Sequence, residues 1–130
     1  MGMLFDLRKE DYSTSTPGLG DHCLAKGVSV ESMRAEMFAK KNGCCKRKGG
    51  VMHTGDISVG AVPAIAIVGG GILVAVGLGL SCKMRITDKG VVCFFGDGAT
   101  NEGAFNESKK ATAIWNLRVL FAAEHNLNGV

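Results

Sequence analysis

The sequence predicts an α/β fold built on a parallel sheet, and three features of its last third carry that prediction. Val91-Val92-Cys93-Phe94-Phe95 is a short continuous apolar run, as a strand buried on both faces requires. Residues 102–115 then show helical periodicity, with Phe105, Ser108, Ala111, Thr112 and Trp115 on one side. Val119-Leu120-Phe121-Ala122-Ala123 is a second apolar run. Strand, helix and strand make a βαβ unit, whose crossover is right-handed almost without exception.

The earlier elements follow in order. Residues 1–28 are polar and read as an irregular N-terminal segment, with a loop at Ser13-Thr14-Ser15-Thr16-Pro17-Gly18. Residues 29–130 read as a single domain. A helix is predicted over 30–41, with Met33, Met37 and Phe38 on one face and Glu31 in the first turn. Lys40 and Lys41 stand in its last turn, and Gly43 is the expected cap. Residues 42–68 read as a long basic and then glycine-rich loop, of a length that in compact domains is often functional. A helix over 70–84 is apolar in every direction, so it is expected to be covered on all sides.

Composition narrows the function. The chain has 130 residues, 46% of them apolar, which fits one folded domain and argues against disorder. A net charge of +3 with scattered basic residues gives no electrostatic case for nucleic acid. Five cysteines (Cys23, Cys44, Cys45, Cys82, Cys93) form an odd set without a secreted-scaffold spacing. A reducing compartment is the simpler reading. Cys44-Cys45 with Cys23, His22 and His53 is a conceivable zinc set, but adjacent cysteines rarely both ligate. Residues 57–82 carry no charge and are long enough to span a bilayer. Pro63 and the triplet Gly69-Gly70-Gly71 argue instead for a glycine turn opening into a buried helix.

The βαβ unit has a chemical consequence. Asp97 lies just past the carboxyl end of one strand, and His125-Asn126 just past the end of the other. Parallel strands open both onto one sheet edge, about 5 Å apart if the strands are neighbours. Ligands of open α/β sheets bind along that edge. A carboxylate with an amide oxygen and backbone carbonyls is an oxygen-only set suited to magnesium. Gly96 and Gly98 allow close approach of a phosphate, and the following helix offers free amides to an anion. Taken singly, a Gly-Asp-Gly or a post-strand Asn is more often a turn.

Beyond these readings, Gly96–Ser108, Ala113–Asn126 and the upstream Cys44–His53 block resemble one family. It is the alpha subunit of the thiamine diphosphate-dependent first component of 2-oxo acid dehydrogenase complexes, in its N-terminal part. Pyruvate dehydrogenase and acetoin dehydrogenase are the nearest branches. The resemblance runs over roughly residues 20–130, and it makes 29–130 a partial thiamine diphosphate-binding domain. By position, Asp97 resembles the magnesium-binding aspartate, Asn126 the second side-chain ligand, and Asn128 the position whose backbone carbonyl completes the site. Gly98 and Ala99 match positions that approach the diphosphate. Val68 matches the backbone position that meets the aminopyrimidine, and Ala66 stands where the family usually has glycine.

The implied activity is thiamine diphosphate- and magnesium-dependent oxidative decarboxylation of pyruvate or a related 2-oxo acid, with acyl transfer to a lipoyl group. An acetoin dehydrogenase alpha subunit and a non-catalytic fragment are the alternatives. The implied partners are a beta subunit, which supplies the glutamate that activates the cofactor, and the lipoyl domain of the acyltransferase component. Neither nucleic acid nor membrane is expected, and the implied location is cytoplasmic, or the mitochondrial matrix in a eukaryote.

Several positions depart from the family pattern. Thr16-Pro17-Gly18-Leu19-Gly20 stands where a Tyr-Arg pair is typical, and His125 replaces the first Asn of a pair. Asn106 stands where histidine is common, and Lys109-Lys110 replaces Leu-Asn. Gly71 is closer to the acetoin branch. Family members run to several hundred residues, so this chain alone is expected to be inactive and to expose a sheet edge and apolar helix faces.

Overall fold

Three parallel strands in the order β1-β2-β3 form the frame of the molecule. The computed structural model describes residues 2–17 and 20–126. Asn128, expected to complete a metal site, lies outside the described residues. The chain runs α1 (Gly2–Phe5), β1 (Tyr12–Thr14), α2 (Asp21–Ala25), α3 (Val30–Met37), α4 (Gly70–Met84), β2 (Val91–Gly96), α5 (Gly103–Ile114) and β3 (Val119–Glu124). Short 3-10 turns occupy Ile57–Val59 and Asp97–Asn101.

β2 is the central strand, and all five of its first residues are buried. Its side chains alternate between two cores, as strand geometry demands. Val91, Cys93 and Phe95 pack with Ile72 and Ala75 of α4 and with Phe105 of α5. Val92 and Phe94 point the other way, onto Leu4, Leu7, Ala25 and Ala122. The predicted elements over 70–84, 91–95, 102–115 and 119–123 therefore form with at most one residue of difference at each end.

Three readings are corrected. The N-terminal segment is not irregular: it holds α1, β1 and α2, and Leu4 and Ala25 cover the second face of the sheet. Elements of three to five residues are too short to show a period. β1 is also polar, yet Ser13 and Thr14 are buried and pair in register with Val92 and Cys93.

The helix predicted over 30–41 stops at Met37. Ala39 takes a left-handed φ of 53°, and the Lys40 amide closes back on the Ala35 carbonyl at 2.8 Å. That is a Schellman end, reached four residues before Gly43. The buried side of α3 is Met33 and Glu36, whereas Met37 and Phe38 are exposed. α4 is not covered all round. Its inner face lies on the sheet, and Leu73 and Val74 on the outer face are 51% and 39% exposed. One sheet can cover only one side of a helix.

Candidate functional site at the carboxyl edge of the sheet

β2 and β3 pair in parallel register through Gly96↔Glu124, so Asp97 and His125 leave the sheet side by side. Their side chains meet, with His125 Nδ1 on Asp97 Oδ2. The other carboxylate oxygen, Oδ1, accepts the Gly98 N–H at 3.0 Å. Thr100 Oγ1 donates to the Asp97 carbonyl at 2.6 Å and closes the turn. Asp97 keeps 31% of its side chain exposed. Asn126 follows directly and is exposed.

The turn is held from below. Ala99 is 2% exposed and sits in the same core as Phe95. Phe95, Phe105 and Phe121 form an aromatic triangle with centroids 5.3–6.5 Å apart. One ring comes from each of β2, α5 and β3, so all three elements are locked under the site. Above, Gly98 is exposed, and a Cβ built there would meet nothing within 4 Å. The backbone is thus open to a ligand on that side. Glu102 caps α5 without a side-chain hydrogen bond, leaving the first amides of a 12-residue helix for an anion.

A second element reaches the same place. Gly69 starts α4 with a φ of +76°, and a Cβ there would lie 3.4 Å from both Cβ and Cγ of Glu102. The 66–69 turn therefore abuts the start of α5. Val68 on this turn is 59% exposed, and Ala66 is half-buried. The structure brings Asp97, Gly98, Ala99 and Asn126 to one edge, with the turn that carries Ala66 and Val68 beside it. By contrast, a cavity of about 380 Å³ lies at the amino edge, lined by Lys83, Asp88, Lys89 and Arg118 among others. Strand polarity favours the carboxyl edge for ligands.

Two features around the site went unread in the sequence, one at the edge and one at a distance from it. His22 stacks on Phe94 with centroids 4.4 Å apart, contacts Ser15 Oγ at 2.9 Å through Nδ1 and reaches Glu124 Oε1 at 3.1 Å through Nε2. It ties the ends of β1 and β3 across β2. The other is Glu36, which is fully buried and accepts four backbone N–H groups from residues 45–50. Burial pushes its carboxyl up, but the four donors outweigh that and hold it below its ordinary value. The one available signal was spacing: an acid three residues after buried Met33, followed by a glycine-rich loop. Cys23 is different, since burial raises its thiol to about 11.

The donor set fits a hard divalent cation. Asp97 has acceptor capacity left beyond its two contacts, because a carboxylate offers about four lone-pair sites. Asn126 would add an amide oxygen. Among the described residues no group of three His, Cys, Asp or Glu is placed to hold a metal. Backbone carbonyls, water and a diphosphate would have to complete an octahedron, as magnesium tolerates. Among the described residues no helix is long and apolar enough to cross a membrane.

Fold and site define a class: a parallel α/β protein whose carboxyl edge brings Asp97 and His125-Asn126 together beside the start of α5. The chain belongs to the dehydrogenase E1 component family, whose model matches residues 1–130. It is 46% identical to the alpha subunit of acetoin:2,6-dichlorophenolindophenol oxidoreductase of Bacillus subtilis (strain 168), over 97% of this chain and 38% of that protein. Identity to the same subunit of Cupriavidus necator is 41%, with the same coverage. Pyruvate dehydrogenase E1 component subunit alpha-3, chloroplastic, of Arabidopsis thaliana is 37% identical over 97% of this chain and 31% of its own length. The chain thus spans less than two fifths of these relatives.

Proposed function

We propose that this chain carries the diphosphate- and metal-holding part of an alpha-type subunit that binds thiamine diphosphate and magnesium. The pairing of Gly96 with Glu124, which sets Asp97 beside His125-Asn126 at one edge, is the observation that carries the reading. Asp97 and Asn126 hold the cation, with the Asn128 carbonyl as the third protein ligand. The Gly98 and Ala99 backbone faces the diphosphate, while Ala66 and Val68 flank the aminopyrimidine. When bound, thiamine diphosphate supplies the nucleophile that attacks a 2-oxo acid or acetoin carbonyl. The chain's own residues contribute binding and orientation. The glutamate that activates the cofactor comes from a beta-type partner, and the acyl group leaves to a lipoyl domain.

Relatives named for acetoin and for pyruvate both match the chain. The greater identity to the two acetoin relatives favours acetoin. Dye reduction by the full-length protein assembled with its partner subunit decides between them. A kcat/KM for acetoin well above that for pyruvate is expected. The reverse order assigns a 2-oxo acid, and dye reduction with neither substrate defeats the enzymatic reading.

A further inference from the structure

Glu36 is unusual among the acids of this chain, being 0% exposed with only backbone amides as hydrogen-bond donors among the described residues. Oε2 accepts from Cys45 and Arg47 at 2.9 Å each, and Oε1 from Gly49 at 2.8 Å and Gly50 at 3.1 Å. An ionised carboxylate is acceptor-only, so it satisfies four converging donors as no neutral side chain of that size does. Gly43 makes room for it: a Cβ there would stand 2.3 Å from Oε2 and 2.6 Å from the Glu36 Cα.

From this anchor a continuous set of hydrogen bonds reaches the carboxyl edge. The Gly49 carbonyl accepts the His53 N–H at 3.1 Å, and the Gly50 carbonyl accepts Thr54 Oγ1 at 3.1 Å. His53 Nδ1 donates to the Ala64 carbonyl at 2.8 Å, which fixes the ring and leaves Nε2 as the basic nitrogen of the neutral imidazole. Ala64 N–H donates to the Thr54 carbonyl at 3.0 Å, and Ile65 N–H to the Ser15 carbonyl at 3.1 Å. Ala66 and Val68 come next in the chain, at the turn that opens α4.

We propose that Glu36 is a positioning residue for the cofactor: by fixing the 45–50 backbone it presets, through His53, the 64–68 segment that leads to the edge where diphosphate and cation bind. This rests on the proposed function and adds a role for a residue distant from the ligand. A buried carboxylate meeting only peptide amides orders the loop before binding, so less ordering is left for the cofactor to impose.

Glu36→Gln keeps the shape of the side chain but turns an NH2 toward two of the four amides. In the full-length protein assembled with its partner subunit, the apparent KM for thiamine diphosphate should rise about 10–100-fold, a larger change than that in kcat. His53→Ala supplies the coupling test: Glu36→Gln should add little in its background. A residue that only stabilises the fold would lower the yield and the unfolding midpoint without changing the KM of the folded enzyme. For a variant that does not fold, amide exchange on the wild type answers instead, because coupling is reciprocal. Exchange at Cys45, Arg47, Gly49 and Gly50 should slow when thiamine diphosphate and magnesium are added. An unchanged KM in Glu36→Gln, or unchanged exchange at those amides on a wild type that binds, overturns the role of Glu36. A wild type that binds no cofactor fails at the proposed function itself, which is a separate and recognisable result.

Discussion

Phe95 and Glu36 are both buried, yet the sheet around the one and the loop around the other are held in opposite ways. Phe95, Ile72 and Cys93 are fixed by apolar contacts that have no required direction. The 45–50 backbone is fixed by four directed hydrogen bonds onto one carboxylate. The first kind of order is shared among many side chains and tolerates conservative exchange. The second depends on a single residue and on a glycine that leaves space for it. The site draws on both, with Asp97 standing on the sheet and the 66–69 turn continuing from the loop.

The largest expected effect lies in the sheet. Phe95→Ala should cost about 3–5 kcal/mol in denaturant unfolding, since it removes the buried corner of the aromatic triangle that β2 supplies. Sheet and loop should then open together. Gly43→Ala comes next, costing about 1–3 kcal/mol because its Cβ collides with Glu36. Its signature should be local: faster amide exchange at Cys45, Arg47, Gly49 and Gly50, with Val91–Phe95 still protected. Equal acceleration in both places would mean that the two regions are one cooperative unit, and the contrast between them would fail.

Acid separates the regions more gently. Asp11 lies at the amino edge, where it accepts the Gly90 N–H and the Arg8 guanidinium at 2.8–2.9 Å. Burial pushes its carboxyl up, but the Arg8 and amide hydrogen bonds bring it down from 3.8 to about 2. A carboxyl depressed in the folded state stabilises fully above its unfolded value. That contribution is therefore lost as pH falls from 3.8 to about 2. Asp11→Asn should flatten unfolding free energy against pH across that window, and an unaltered slope would show that Asp11 contributes nothing. The smallest change is a gain. Ile86 ends α4 at a left-handed φ of 55° and is 94% exposed, so Ile86→Gly should add up to about 1 kcal/mol in thermal unfolding.

The same contrast explains what the sequence revealed. β2, α5, β3 and α4 announce themselves because apolar burial leaves a pattern in the letters, and the Asp97–Asn126 edge follows from strand polarity alone. β1 does not, since Tyr12-Ser13-Thr14 is polar and its burial comes from pairing with β2 and from the Gly60 carbonyl bound to the Ser13 amide at 2.9 Å. Glu36 left no signal beyond its spacing, for a related reason. Its partners are backbone amides, which every residue carries, so no side chain in the loop marks them. The early end of α3 is hidden too, because Ala39 takes a conformation for which glycine is the usual sign.

The most direct test of the carboxyl edge is calorimetric titration of thiamine diphosphate into the purified protein, with and without magnesium, beside Asp97→Ala. Binding that requires magnesium and disappears in the variant, whose sheet should stay intact, is the predicted result. Equal binding by wild type and Asp97→Ala, or none by a folded wild type assembled with the proposed beta-type partner, would contradict the assignment of this edge.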